Sequence, residues 1–243
     1  MNAISPDRSA VLAPNSSFHP RRDIVEVCLL VALSVGGVVV AQRLGPTRSG
    51  GNLVALAAVP LALALALLAP RFRGESLRVI GFKRPPSWPK AIGMALVLTP
   101  PIVAASWAVE SGILPRLLNA APPDTSHFDF VQGNLGVLLG TLAVVWFSAA
   151  LSEEIIFRGF LMTRLARIFG GGQGAWIASL LLSSIDFGAL HLYQGLSGVL
   201  LTGFVGLLLG LVFLASGRNL WVAILVHGLT NSVALFLLYL GIG

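Results

Sequence analysis

Long apolar runs separated by short polar segments are the dominant pattern along this chain. Apart from one longer run, each is close to the roughly 17 to 25 residues that a membrane-spanning helix needs. The runs cover residues 24–41, 52–68, 91–109, 135–169, 176–191, 196–215 and 220–240. We expect the second to end at Pro70, and Pro100-Pro101 to kink or break the third, because a proline nitrogen cannot donate a hydrogen bond. The pattern predicts an all-α, polytopic membrane protein.

The run at residues 135–169 is too long for one span of about 20 residues. Either one tilted helix ends near Arg164 and Arg167, or a span is followed by a second, partly interfacial helix. Counting both possibilities, the chain should form seven or eight transmembrane helices in one bundle. We expect three regions: a disordered cytoplasmic tail at 1–22, N-terminal transmembrane helices and loops at 23–133, and a catalytic transmembrane core at 134–243.

Composition and charge support the membrane assignment and orient the chain. Hydrophobic residues make up 56% of the sequence and charged residues only 11%, which excludes an ordinary soluble domain. The net charge is +6, but the basic residues lie between apolar runs and form no continuous patch, so nucleic acid is not an expected partner. The basic loop at residues 71–90 contains one acid, Glu75, and is typical of a cytoplasmic loop. The N-terminus is therefore expected in the cytoplasm.

A few ionisable side chains interrupt the apolar helices of the last hundred residues, and each costs about 2.5 to 3.5 kcal/mol at the membrane centre. Glu154 and Arg158, Phe187 and His191, and His227 and Asn231 are each four residues apart, so each pair shares a helix face. Three polar stripes can be buried only against one another or along a water-filled cavity. The spacing predicts helices packed around a polar cavity.

These side chains are sufficient for hydrolysis of an amide. Glu154 and Arg158 can form an ion pair within one helix, which leaves Glu153 available as a general base together with an imidazole. A second imidazole and an amide, His227 and Asn231, can donate hydrogen bonds to the oxygen that becomes negative when water attacks a carbonyl.

Three motifs, Glu153-Glu154-x-x-x-Arg158, Phe187-x-x-x-His191 and His227-x-x-x-Asn231, occur in this order. The set resembles the CAAX prenyl protease type II family and its bacterial relatives, the CPBP (Abi) group of intramembrane glutamic endopeptidases. The resemblance implies eight helices and a conical cavity open toward the cytosol. It also implies a bacterial cytoplasmic membrane, a membrane-associated peptide or protein as substrate, and no cofactor or metal.

The resemblance also implies a role for each motif residue. Glu153 and His191 activate the water, and His227 and Asn231 stabilise the oxyanion. Three further residues support the site, two by an ion pair and one by packing: Glu154, Arg158 and Phe187.

Three alternatives remain open at this stage. Glu153, His191 and His227 could bind zinc, although the chain has no H-E-x-x-H motif. Gly195-Leu-Ser197-Gly198 matches the short motif of rhomboid-like serine proteases, with His227 as the base. A non-catalytic immunity, scaffold or transport protein is the third alternative. The sequence does not indicate an oligomeric state or a prenylated substrate.

Two geometric questions also remain. Asp186 could pair with Arg158 or face a polar cavity, and we expect it to support the structure. His191 lies roughly 25 Å along its helix but His227 only about 10 Å along its own. The helix of His191 must therefore begin below the membrane surface, tilt strongly, or bend near Gly188.

Overall fold

The chain folds into helices connected by short turns. A computed structural model describes residues 19–44, 49–119 and 121–242, and these ranges contain no β-strand. The α-helices are α1 (Pro20–Val31), α2 (Gly37–Leu44), α3 (Ser49–Phe72), α4 (Trp88–Ala108), α5 (Leu114–Leu118), α6 (Leu135–Val145), α7 (Met162–Ile168), α8 (Gln173–Leu190), α9 (Gly195–Ala215) and α10 (Leu220–Tyr239). Four π-helical segments interrupt or join them: Ala32–Gly36, Val109–Ile113, Trp146–Leu151 and Glu154–Leu161. The predicted all-α class is confirmed.

Five of the described helices are long and apolar enough to cross a membrane. They are Pro20–Val40, Trp88–Arg116, Leu135–Ile168, Leu192–Ala215 and Leu220–Tyr239, with Ala57–Phe72 as a shorter apolar helix. The predicted count of seven or eight is not confirmed. Of the expected tail, residues 1–18 lie outside the described ranges, and Pro20 to Arg22 belong to α1.

Prolines do not end the helices where the sequence suggested. Helix α3 continues through Pro70 to Phe72, so the prediction that it ends at Pro70 is wrong. Helix α4 runs through both Pro100 and Pro101. Packing against neighbouring helices and local adjustment make proline tolerable inside membrane helices.

Residues Leu135–Ile168 form one continuous helix of 34 residues, which we call the long helix. This settles the choice between one helix and two. Its π-helical segment Glu154–Leu161 is buried at all eight positions. Such segments widen a helix locally and are frequent at functional sites. The two acids therefore lie where the π-helical segment begins: Glu153 immediately precedes it and Glu154 is its first residue.

The helices carrying His191 and His227 begin at different levels, which accounts for most of their expected mismatch in depth. The backbone nitrogen of Leu220, at the start of α10, donates to Gly81 O, and a Cβ at Gly159 would lie 3.0 Å from Leu220 Cδ1. Helix α10 thus begins beside Gly159, whereas α8 begins only after the end of the long helix at Ile168. The stretch from 159 to 168 spans about 13 Å. Helix α8 therefore begins below α10, as one of the three expected solutions requires.

Helices α8 and α9 form a hairpin whose backbones touch at Gly188. A Cβ at Gly188 would lie 2.5 Å from Val199 O and 3.0 Å from Gly203 Cα. Both neighbours are backbone atoms, so neither can rotate away. Small residues permit this kind of close approach between membrane helices.

A group of six buried or mostly buried ionic side chains, which we call the ionic cluster, joins three parts of the chain. Arg164 Nε lies 2.9 Å from Glu26 Oε2, and its Nη1 lies 3.1 Å from Glu75 Oε2. The members are Asp23 and Glu26 of α1, Arg73 and Glu75 after α3, and Arg164 and Arg167 of α7. Three acids balance three arginines, as the cost of burying unpaired charge requires. In the sequence these basic residues indicated only the topology, and their ion pairs with the acids of the cluster were not predicted.

Replacing Gly188 by alanine should destabilise the hairpin, because its Cβ would collide with the backbone of α9. Overpacking of this kind costs about 1 to 3 kcal/mol. The matched control is Gly93→Ala in α4, where nothing lies within 4 Å of the added Cβ; it should gain about 0.5 to 1 kcal/mol from helix propensity. Thermal unfolding in detergent measures both. Equal melting temperatures for the two variants would contradict the packing of α8 on α9.

Glu75 should make the stability of the protein depend on acid pH. Burial raises the pKa of Glu75, but Arg164 and Arg167 outweigh it and lower the pKa below its ordinary value of 4.5. A depressed folded-state pKa adds stability above the unfolded-state pKa, and this stability is lost as the pH falls through the folded-state value. Glu75→Gln should cost about 3 to 5 kcal/mol at neutral pH and weaken the pH dependence below 4.5. Asp129→Asn, at an exposed position, is the control; melting curves across pH decide the outcome.

Candidate active site

Glu154 is at the centre of three polar side chains in the middle of the bundle. We call these side chains, Glu154, Arg158 and His227, the polar group. Its Oε1 accepts a hydrogen bond from Arg158 Nη1 at 2.7 Å and lies 2.9 Å from His227 Nδ1. All three side chains are buried. The ion pair expected from the four-residue spacing is present, and the same oxygen also joins the long helix to α10.

Arg158 extends this connection to α8 and α9. Its Nη2 donates to the backbone carbonyl of Gly206 at 2.9 Å, and its guanidinium lies 4.4 Å from the centre of the Phe187 ring. A Cβ at Gly206 would lie 3.0 Å from Phe187 Cδ1 and 3.4 Å from Arg158 Nη2. Glycine at 206 therefore leaves space for both side chains.

Phe187 lies between the two histidines. Its ring centre is 5.1 Å from that of His191 and 6.1 Å from that of His227. Phe157 meets the same ring edge-on at 5.1 Å. The structure thus brings the three motifs together around one aromatic ring, and Phe187 holds the imidazoles apart while supporting both.

His191 presents a basic nitrogen toward its surroundings. Its Nδ1 is 2.9 Å from the carbonyl oxygen of Phe187. A carbonyl can only accept, so Nδ1 carries a proton in this contact. In the neutral imidazole Nε2 then has the free lone pair. His191 is only half-buried, at the carboxyl end of α8, where a substrate could reach it.

Glu153 differs from its neighbour in every contact. Its Oε2 lies 3.9 Å from His227 Nε2, and its side chain makes no hydrogen bond within the described part of the chain. Its side chain is 12% exposed, whereas that of Glu154 is fully buried. A cavity of about 10 Å³ adjoins it, lined by Ser34, Val59, Ala62, Glu153, Ile156, Phe157 and Leu190. That is about the volume of one water, but the surface that the cavity presents is apolar. The cavity is far smaller than the conical chamber that the resemblance implies.

His227 faces a carboxylate with each ring nitrogen, Glu154 at Nδ1 and Glu153 at Nε2. Of the two glutamates, only Glu154 is also bound to Arg158. The imidazole therefore lies between a carboxylate that is held by an arginine and one that is not.

Asn231 is on α10 one turn beyond His227. It is half-buried, and in the ranges that the structure describes its side chain has no hydrogen-bond partner. Its expected role as an oxyanion donor stays a prediction.

Asp186 and Ser197, two further residues considered from the sequence, have partners other than those suggested. Asp186 accepts a hydrogen bond from Ser34 at 3.3 Å, whereas Arg158 is bound to Glu154 and Gly206. The suggested Asp186–Arg158 pair is therefore wrong. Ser197, the nucleophile of the serine-protease alternative, donates to the carbonyl of Ala121 at 2.6 Å rather than to an imidazole.

The zinc alternative requires Glu153, His191 and His227 to converge. The described residues contain no group of three or more histidine, cysteine, aspartate or glutamate side chains placed to hold a metal ion.

Gly206 and Ser34 have polar contacts here that the sequence analysis did not foresee. For Gly206 a signal existed: Gly198, Gly203 and Gly210 lie on the same helix, and recurring small residues indicate close helix packing. No comparable signal marks Ser34, which faces α8 from the π-helical segment Ala32–Gly36.

Comparison with known proteins gives one match, and it covers the region that carries all three motifs. Residues 135–233 match the family described as type II CAAX prenyl endopeptidase Rce1-like. No curated protein and no solved structure matches the chain. The matched region contains the long helix, the α8–α9 hairpin and most of α10, which together position the polar group. The chain is therefore similar, over residues 135–233, to the family that the three motifs resemble.

Proposed function

We propose that this protein is an intramembrane endopeptidase that hydrolyses a peptide bond of a membrane-associated peptide or protein. The observation that carries the proposal is the difference between the two glutamates. Glu154 is fully buried and bound to Arg158 and His227, whereas Glu153 has no hydrogen bond in the described structure and adjoins a cavity. Among the described residues, the salt-bridge contact of Glu153 is with His227 Nε2 at 3.9 Å. A carboxylate held so loosely is expensive inside a membrane, and a catalytic role accounts for its presence.

In the proposed reaction, Glu153 and His191 remove a proton from a water molecule as its oxygen attacks the scissile carbonyl carbon. His227 and Asn231 donate hydrogen bonds to the carbonyl oxygen as it becomes negative. The proton then passes to the amide nitrogen, and the carbon–nitrogen bond breaks. Glu154 and Arg158 hold His227 and the long helix in position throughout.

The match of residues 135–233 to a peptidase family supports hydrolysis over an immunity, scaffold or transport role. The family description names a prenyl endopeptidase, so a prenylated chain terminus is one substrate to test beside an unmodified one. We also propose a bacterial cytoplasmic membrane with a cytoplasmic N-terminus. The ionic cluster and the basic loop 71–90 lie toward the same end of the bundle, as the positive-inside rule expects.

Glu153→Gln and His191→Ala should each abolish cleavage without reducing the abundance of the protein in the membrane. Loss of a general base lowers the rate by about 10²- to 10⁴-fold. The probes are an internally quenched farnesylated peptide ending in Cys-aliphatic-aliphatic-X and its unlipidated counterpart. Comparing membrane proteomes of wild-type and Glu153→Gln cells extends the test to natural substrates.

Ser197→Ala is the matched control and should retain activity. Full activity of Glu153→Gln, or complete loss in Ser197→Ala with normal folding, would falsify the glutamate mechanism. Loss of activity on chelation and its return with zinc would instead favour the metal alternative.

The two glutamates should differ sharply in their effects on stability. Glu154→Gln weakens the contacts with Arg158 and His227 and leaves the buried arginine uncompensated, which should cost about 3 to 5 kcal/mol. Glu153→Gln removes no hydrogen bond and should leave the melting temperature in detergent nearly unchanged. The opposite order of melting temperatures would reverse the two proposed roles.

A further inference from the structure

Tyr193 lies directly after the second motif, in a turn that fixes its position relative to His191. The 3₁₀ turn Leu192–Gln194 connects α8 to α9. His191 N donates to Gly188 O, and Gln194 N donates to His191 O, each at 2.9 Å. So short a turn, bonded at both ends, fixes the backbone of Tyr193 relative to that of His191. The two ring centres are 5.8 Å apart, with the ring planes 31° from parallel.

The hydroxyl of Tyr193 accepts a hydrogen bond from Gln194 Nε2, within the same turn, at 3.2 Å. The charge of Glu153, which comes from the long helix, also acts on this hydroxyl. The phenol is therefore within electrostatic range of the proposed base and packs beside its imidazole partner.

Tyr193 is also more exposed to solvent than the buried side chains of the polar group. It is 39% exposed, whereas His227 is 4% exposed and Glu154 is fully buried. A peptide approaching from outside the protein would meet Tyr193 before it reaches Glu153. The only other tyrosine of the chain, Tyr239, stacks on Phe236 near the end of α10.

The reaction requires a hydrogen-bond donor for the carbonyl oxygen of the substrate. Neither of the two donors proposed above is held in position to provide it. His227 directs Nε2 toward Glu153, and no hydrogen bond to any described residue holds the Asn231 amide in place. A phenol is a neutral donor that adds no net charge to a site already rich in carboxylates. Its ring packs beside that of His191, the proposed partner of Glu153 in activating the water.

We propose that Tyr193 is a catalytic residue whose hydroxyl donates a hydrogen bond to the oxygen of the scissile carbonyl as that oxygen becomes negative. The inference rests on the proposed function. Water supplies the attacking oxygen, Glu153 takes its proton, and Tyr193 keeps its own proton while the tetrahedral intermediate forms. When the carbon–nitrogen bond breaks, the proton on Glu153 passes to the nitrogen and the carbonyl is restored.

Tyr193→Phe removes only the hydroxyl and should lower kcat on the quenched peptides by about 10²- to 10³-fold, as loss of one oxyanion donor does. KM should change by less than about twofold, because the donor acts mainly in the transition state. Tyr239→Phe makes the same chemical change far from the site and should retain wild-type kcat. If Tyr193→Phe keeps wild-type kcat while Glu153→Gln is inactive, the role of Tyr193 is refuted and the proposed function stands. If Glu153→Gln is fully active, the proposed function itself fails.

A fluorine label separates a catalytic role from a structural one. In the Tyr239→Phe background Tyr193 is the only tyrosine, so fluorotyrosine incorporation labels it alone. Fluorotyrosine ionises at lower pH than tyrosine, and an ionised phenol cannot donate. The alkaline limb of kcat should therefore move to lower pH, which a structural tyrosine would not produce.

The same labelled chain provides a readout that needs no turnover. Added to the Glu153→Gln variant, the farnesylated or unlipidated peptide should shift the ¹⁹F resonance of residue 193. An unshifted resonance at saturating concentrations of both peptides would overturn the assignment even if neither peptide is cleaved.

Discussion

One carboxylate oxygen, Oε1 of Glu154, accepts a hydrogen bond from Arg158 and contacts His227. The helices around it are apolar enough to cross a membrane. An acid in such surroundings is stable only while its partners stay in place, so this contact constrains the helices that supply them. Arg158 in turn requires the carbonyl of Gly206 and the face of Phe187, which brings in α9 and α8. The positions of the imidazoles follow from this chain of contacts. Glu153, one residue away, makes none of these hydrogen bonds.

Local spacing was the part of the site that could be predicted. Residues four apart share a helix face whatever the tertiary structure, so the Glu154–Arg158 pair could be inferred before any coordinates were known. Contacts between helices were harder, because they depend on relative height and rotation. The approach of Phe187 to both histidines and the link from Arg158 to Gly206 required the lower start of α8 and the close packing of the α8–α9 hairpin. The partner of Asp186 could not be inferred for the same reason, since Ser34 comes from the first region of the chain.

Helix boundaries show the limits of local rules in another way. Proline at 70, 100 or 101 removes backbone hydrogen bonds, yet α3 and α4 continue past these positions. The irregularities occur instead in π-helical segments without proline, including the one that carries Glu154 and Arg158. In a bundle, the packing of neighbouring helices decides where a helix departs from regular geometry. Here one such departure coincides with the candidate site.

The ionic cluster has a consequence for how the protein is made. Glu26 enters the membrane as part of the first helix, but its partner Arg164 lies 138 residues later. Until the long helix has been inserted, the acids of α1 have only Arg73 for compensation. A chain interrupted between these points would carry three acids of the cluster, Asp23, Glu26 and Glu75, against one arginine, Arg73. The charges of the cluster are therefore balanced only once the segment that bears the candidate site has been made.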